Sequence, residues 1–169
     1  MKLIEAMKEV KNLKVKAEDL RKKIACYCVK TSFESNMYPD QEAQIKEWIQ
    51  SHTDTIKLAA KLSVAVQRTN LATEVEIELG GKKVSHPISE WILRRRELAE
   101  LERACWGGIT DKNLKEGQFK QTDGTVIEVK IVRFYDPKVR DEKIELYRSE
   151  PSIIDRTLET VNAVTELVE

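Results

Sequence analysis

The sequence predicts an α+β fold, mainly α, and three observations carry that prediction. Two long heptad stretches fill the first seventy residues. Two short stretches of alternating hydrophobicity flank Gly80-Gly81 and Asp123-Gly124, the turn signals of β-hairpins. Further apolar stripes follow prolines that suit the first turn of a helix.

The first heptad runs through Leu3, Ala6, Val10, Leu13, Ala17, Leu20, Ile24 and Tyr27, in steps of three and four. Such steps place all eight on one seam of a helix about 40 Å long. TSFESNMYPD, residues 31 to 40, breaks the period as a loop. A second heptad follows through Ile45, Ile49, His52, Ile56, Ala59, Ser63, Val66 and Asn70. The two helices are expected to pair as an antiparallel hairpin. One hairpin offers too little surface to cover its seam and flanks, so it is expected to pack on a hairpin from another subunit.

Val75, Ile77 and Leu79 then alternate along a strand, which Lys82 to His86 completes as a hairpin across Gly80-Gly81. Pro87 suits the start of a third helix to about Ala104, with Ile88, Trp91, Ile92, Leu98 and Leu101 as its stripe and Gly107-Gly108 as its stop. A second hairpin is predicted from Gln118 to Gln121 and Thr125 to Phe134, around a type I′ turn at Asp123-Gly124. Asp136-Pro137 caps and opens a short helix to about Arg148. Pro151 opens a last one with Ile154, Leu158, Val161 and Val164 inward. The expected division is residues 1–106, the helical hairpin with a β-hairpin and third helix, and residues 107–169, a β-hairpin with two helices.

Composition limits the function. Lys plus Arg is 29 and Asp plus Glu is 29, so the net charge is zero. A binder of polymeric nucleic acid needs excess cations to displace counterions, so that class is not expected. Charges interrupt MKLIEAMKEV every few residues, which reads as neither a signal peptide nor a membrane span. Cys26, Cys28 and Cys105 are expected to be reduced thiols in a cytoplasmic protein. Their spacing with His52 and His86 matches no zinc pattern, and no metal or other cofactor is expected. No nucleophile elbow, phosphate loop or dinucleotide fingerprint occurs, so the chain is not expected to be an enzyme.

Three clusters remain as candidate sites. Arg94-Arg95-Arg96 with Arg103 is either a solvated face or a phosphate-binding one. Arg68, Thr69 and Asn70 stand where the second helix gives way to a strand. There Asn70 either caps the helix or, with Arg68, lines a ligand pocket at an oligomer interface. Arg133, Phe134, Tyr135, Asp136 and Arg140 combine two guanidiniums, two aromatic platforms and an acceptor around a strand-to-helix turn. Stacking on a ring plus forked phosphate contacts is what a nucleotide needs. The alternative is that Asp136 only caps and Phe134 only packs.

MKLIEAMKEVKNLKVKAEDLRKKI, VQRTNLATEVEI and ISEWILRRRELAELERAC give residues 1 to about 106 a likeness to the septicolysin-like family. That resemblance implies helical hairpins assembled into ring-like oligomers. A helical hairpin joined to a β-rich C-terminal part, with the stretch from Gly117 to Arg140, also resembles phage Thoeris anti-defence sponges. This second resemblance implies an oligomer, dimer to hexamer, that sequesters a cyclic nucleotide of the cyclic ADP-ribose type without turnover. Arg68, Arg133 and Arg140 would take phosphates, Phe134 would stack, and Asn70 and Asp136 would read ribose or base edges. A structural oligomer with no small-molecule ligand is the alternative.

Overall fold

The computed structural model describes residues 1–168. It is α+β and mainly α, in the order α1 (Leu3–Tyr27), α2 (Gln41–Ala72), β1 (Glu74–Leu79), β2 (Lys82–Pro87), α3 (Ile88–Leu93), a π turn (Arg94–Leu98), α4 (Ala99–Gly107), β3 (Gly117–Lys120), β4 (Val126–Val129) and α5 (Pro137–Val164). Two compact units interleave in sequence rather than dividing near residue 106. Unit one holds Met1–Val75, Pro87–Ser89 and the chain from Leu158 onward; unit two holds Glu76–His86 and Glu90–Thr157.

In unit one, α1 buries the predicted seam: Leu3, Ala6, Leu13, Ala17 and Leu20 are inside. Its partner is α2, begun by Asp40, whose carboxylate accepts from the Ala43 N–H at 2.9 Å. The pair is antiparallel, since Tyr27 at the end of α1 meets Trp48 near the start of α2, with ring centroids 5.9 Å apart. Tyr38 completes an aromatic trio that pins the connecting loop.

The seam of α2 differs from the predicted one by a rotation of about one residue. Thr55, Ala59 and Thr69 are buried, whereas Ile49 and Ile56 stand 49% and 46% exposed. The buried positions on α2 are small or hydroxyl-bearing, and the isoleucines are left outside. Polarity costs little there, because the Thr55 and Thr69 hydroxyls donate to the Ser51 and Ala65 carbonyls at 2.7 and 2.9 Å. Asn70 caps nothing: α2 continues to Ala72, and the Thr73 N–H closes it on the Thr69 carbonyl.

β1 and β2 form the expected hairpin, with Val75 and Ile77 buried and both turn glycines at positive φ, 57° and 75°. Such a turn suits glycine because any other residue meets its own Cβ there. Pro87 ends β2 rather than opening the helix.

In unit two the third helical stretch carries a π turn, in which the Ala99 N–H reaches back five residues to the Arg94 carbonyl. One extra residue in a turn rotates everything after it. Trp91 is buried as predicted, but beyond the turn Ala99 is buried and Leu101 is 63% exposed. The β3–β4 register pairs Phe119 with Ile127, and every residue of both strands is exposed. The turn is not type I′. Only Gly124 takes positive φ, 88°, while the Gln121 N–H bonds the Thr125 carbonyl at 2.7 Å, and β4 ends at Val129.

α5 is one helix, not two, and Pro151 lies inside it. An interior proline removes a backbone bond and normally costs ~3 kcal/mol. Adjacent Glu150 supplies an anchor: it is 1% exposed and forked onto Arg94, with Nε to Oε1 2.5 Å and Nη2 to Oε2 3.1 Å. The later part of α5 buries Ile154 and Leu158, but Val164 is 65% exposed.

Candidate functional site

The loop between α4 and β3 and the strand-to-helix turn before α5 form one cluster in unit two. Asp136 behaves as a helix cap, its carboxylate accepting from the Lys138 N–H at 2.8 Å. That cap fixes the turn, and the turn places Arg133, Phe134 and Tyr135 against residues 108–114 around a groove of about 480 Å³.

Asp111 is its hub. The Arg133 guanidinium forks onto both of its carboxylate oxygens, and the Tyr135 hydroxyl donates to Oδ1 at 2.7 Å. These donors hold the Asp111 carboxyl well below the usual range, at about 2, with the Arg133 contact the larger cause and Tyr135 next. In return Asp111 raises the pKa of Arg133 and that of the Tyr135 phenol. Arg140 is engaged as well. Its Nε donates to Asp141 at 2.9 Å, its Nη1 to the Ile109 carbonyl at 3.2 Å, and its guanidinium lies 5.7 Å from the centre of the Tyr135 ring. Lys112 and Asn113 adopt positive φ, 53° and 60°, as the loop bends around the hub.

Phe134 packs on nothing. It is 97% exposed at the groove's rim, beside Val132 and Leu114, which are 73% and 63% exposed. Of the predicted residues, Arg133 and Phe134 line the groove, Asp136 is used by the helix, and Arg140 is held by Asp141 and a backbone carbonyl. Arg68 and Asn70 belong to unit one.

The sequence does not single out Asp111 or Lys112. A lone Asp in TDKN carries no signal, because its partner lies 22 residues further on. The sequence offers Thr69 only as part of the corner around Arg68. It is fully buried, and its hydroxyl accepts from the Val168 N–H at 2.9 Å, tying the end of the chain to α2.

The basic rim of the third helical stretch is largely neutralised. Arg94 holds Glu150, Arg95 donates to Asp155 at 2.5 Å, and Arg103 forks onto Glu100. Cys26, Cys28 and Cys105 are free and exposed. Among the described residues no helix is long and apolar enough to cross a membrane.

No family model and no curated protein matches the chain. A solved structure similar to it is that of a functionally unknown conserved protein from Corynebacterium diphtheriae, with 17% identity, 99% of both chains covered and a TM-score of 0.59. At that identity the likeness concerns the fold alone.

Proposed function

We propose that the chain is a binding protein rather than an enzyme, and that the groove of unit two takes a compact aromatic anion without turning it over. The carrying observation is Phe134, a large aromatic side chain almost wholly in water at the rim of a groove. Leaving such a ring exposed forgoes ~1.5–3 kcal/mol of burial, which a stacked base would recover. Arg133 and Lys112 stand beside it as cations. Arg133 commits Nε and Nη2 to Asp111, and an anionic ligand would compete with that carboxylate for the same fork.

A cyclic nucleotide of the cyclic ADP-ribose type fits this chemistry, and sequestration of such an immune signal, as in phage anti-defence, is the role that goes with it. The second reading, a structural oligomer with no small ligand, is favoured by a specific observation: Arg133 and Arg140 both already have carboxylate partners.

Incubation with a cyclic ADP-ribose isomer, removal of the protein by heat and analysis of the supernatant separate the cases. The proposal predicts that free ligand is depleted and then released intact. Released product overturns the reading in favour of an enzyme, and no depletion overturns it in favour of the structural oligomer.

A further inference from the structure

One face of α2 carries two shallow grooves that meet at Leu58. The groove toward the N-terminal end, about 500 Å³, is lined by Glu47 and Asp54 together with Leu13 and Lys16 of α1. The groove toward the C-terminal end, about 450 Å³, is lined by Lys61, Val64 and Arg68, with Leu167 on its far side. Leu58 lines both and is 46% exposed.

The charges on this face are segregated. Glu47 accepts from Gln44 at 3.1 Å, and Asp54 from Gln50 at 3.0 Å with Lys57 only at 4.0 Å. Lys61 and Arg68 have no carboxylate partner among the described residues. Glu47 and Asp54 are seven residues apart, as are Lys61 and Arg68, so each pair spans about 10 Å along one side of the helix.

We propose that this face is a homodimer interface, in which α2 packs antiparallel on α2 of a second copy. Each acidic groove then receives the other copy's basic half, with Asp54 opposite Lys61 and Glu47 opposite Arg68. Both pairings share one two-fold axis, which falls between Lys57 and Leu58, so the exposed leucines of the two copies meet at the centre. That coincidence argues for a second copy rather than an unrelated partner. A two-fold contact requires a surface complementary to itself, and this face has opposite charges at equal distances from one apolar point. The proposal rests on unit one alone and is independent of the reading of the groove beside Phe134.

The test is light scattering on the full chain at tens of micromolar, together with a charge-swap pair. The wild type should be a dimer that weakens as salt rises, because exposed pairs are screened. Arg68→Glu and Glu47→Arg should each raise the dimer Kd at least tenfold while keeping wild-type circular dichroism. Mixing the two variants should restore a dimer, since every contact in the mixed species is again between opposite charges. Should either variant fail to fold, Lys61→Glu and Asp54→Lys make the same test about two turns closer to the axis. A monomeric wild type, a dimer indifferent to single reversals, or a mixture that stays monomeric overturns the proposal. So does a dimer broken by Ile56→Lys and not by Arg68→Glu, which would place the interface on the neighbouring apolar stripe.

Discussion

Unit two contains the same contact in two settings. Arg94 and Arg133 each fork onto a carboxylate, Glu150 and Asp111 respectively. The Glu150 side chain is 1% exposed and Arg94 only 22%, whereas Arg133 and Asp111 are 35% and 32% exposed. Burial decides what each contact is for. A buried fork strongly resists separation, because either partner left alone is an unpaired charge out of water. The open fork is screened and can exchange its carboxylate for another anion at small cost. The first lies beside Pro151 inside α5, and the second is where the proposed ligand would enter.

The comparison breaks first at the buried fork. Arg94→Met leaves Glu150 unpaired inside, and chemical denaturation should show a loss of ~3–5 kcal/mol. A loss under ~1 kcal/mol would show that the carboxylate escapes to solvent, and that the anchor assigned to α5 is wrong. The open fork should behave oppositely. Arg133→Ala should lower the melting temperature no more than Asp111→Asn does and far less than Arg94→Met, yet weaken binding of a nucleotide ligand roughly ten- to a hundredfold. If melting falls steeply and binding does not change, the loop fork is structural after all.

Acid separates the two regions more finely. The Asp111 carboxyl is held below its unfolded value, so its ionised form favours the folded state. That contribution is complete above the ordinary carboxylate range and is lost as pH falls through about 2. The difference in melting temperature between the wild type and Asp111→Asn should therefore be constant from neutral pH to about 5 and shrink between about 4 and 2. A difference that stays constant down to pH 2 would mean that Arg133 and Tyr135 do not hold the carboxylate in solution.

Smallest of all is the effect expected at Ile56. A sequence reading that puts Ile56 on the hairpin seam expects Ile56→Asp to bury a charge. The structure turns this residue outward, so the substitution should cost within ~0.5 kcal/mol, whereas Leu13→Ala on α1 should cost ~2–5 kcal/mol. Equal losses at the two sites would restore the predicted register.

That register shows where the sequence could be read and where it could not. The seam of α1 is legible because its large residues recur with the helical period and nothing competes with them. On α2 Ile49, Ile56 and Leu58 point away from the seam, and the inward threonines satisfy themselves on their own helix, so hydrophobicity is a poor guide. The turn at Gly80-Gly81 and the cap at Asp136 are legible because they are local. The π turn, the passage of α5 through Pro151 and the Asp111 hub are not. Each depends on a partner distant in sequence, and single residues in a chain this rich in charge do not announce such partners. The sequence marks Phe134 as a candidate, but whether it packs or stands free depends on neighbours distant in the chain.

Calorimetric titration of the wild type and Phe134→Ala with cyclic ADP-ribose isomers and cyclic di- and trinucleotides, with a melting curve for each variant, tests the central claim most directly. The account predicts saturable heat with at least one of these ligands. It also predicts a loss of ~1–3 kcal/mol of binding on removing the ring, with melting and salt dependence unchanged. No heat with any ligand, or a melting temperature that falls in Phe134→Ala while binding does not, would contradict it.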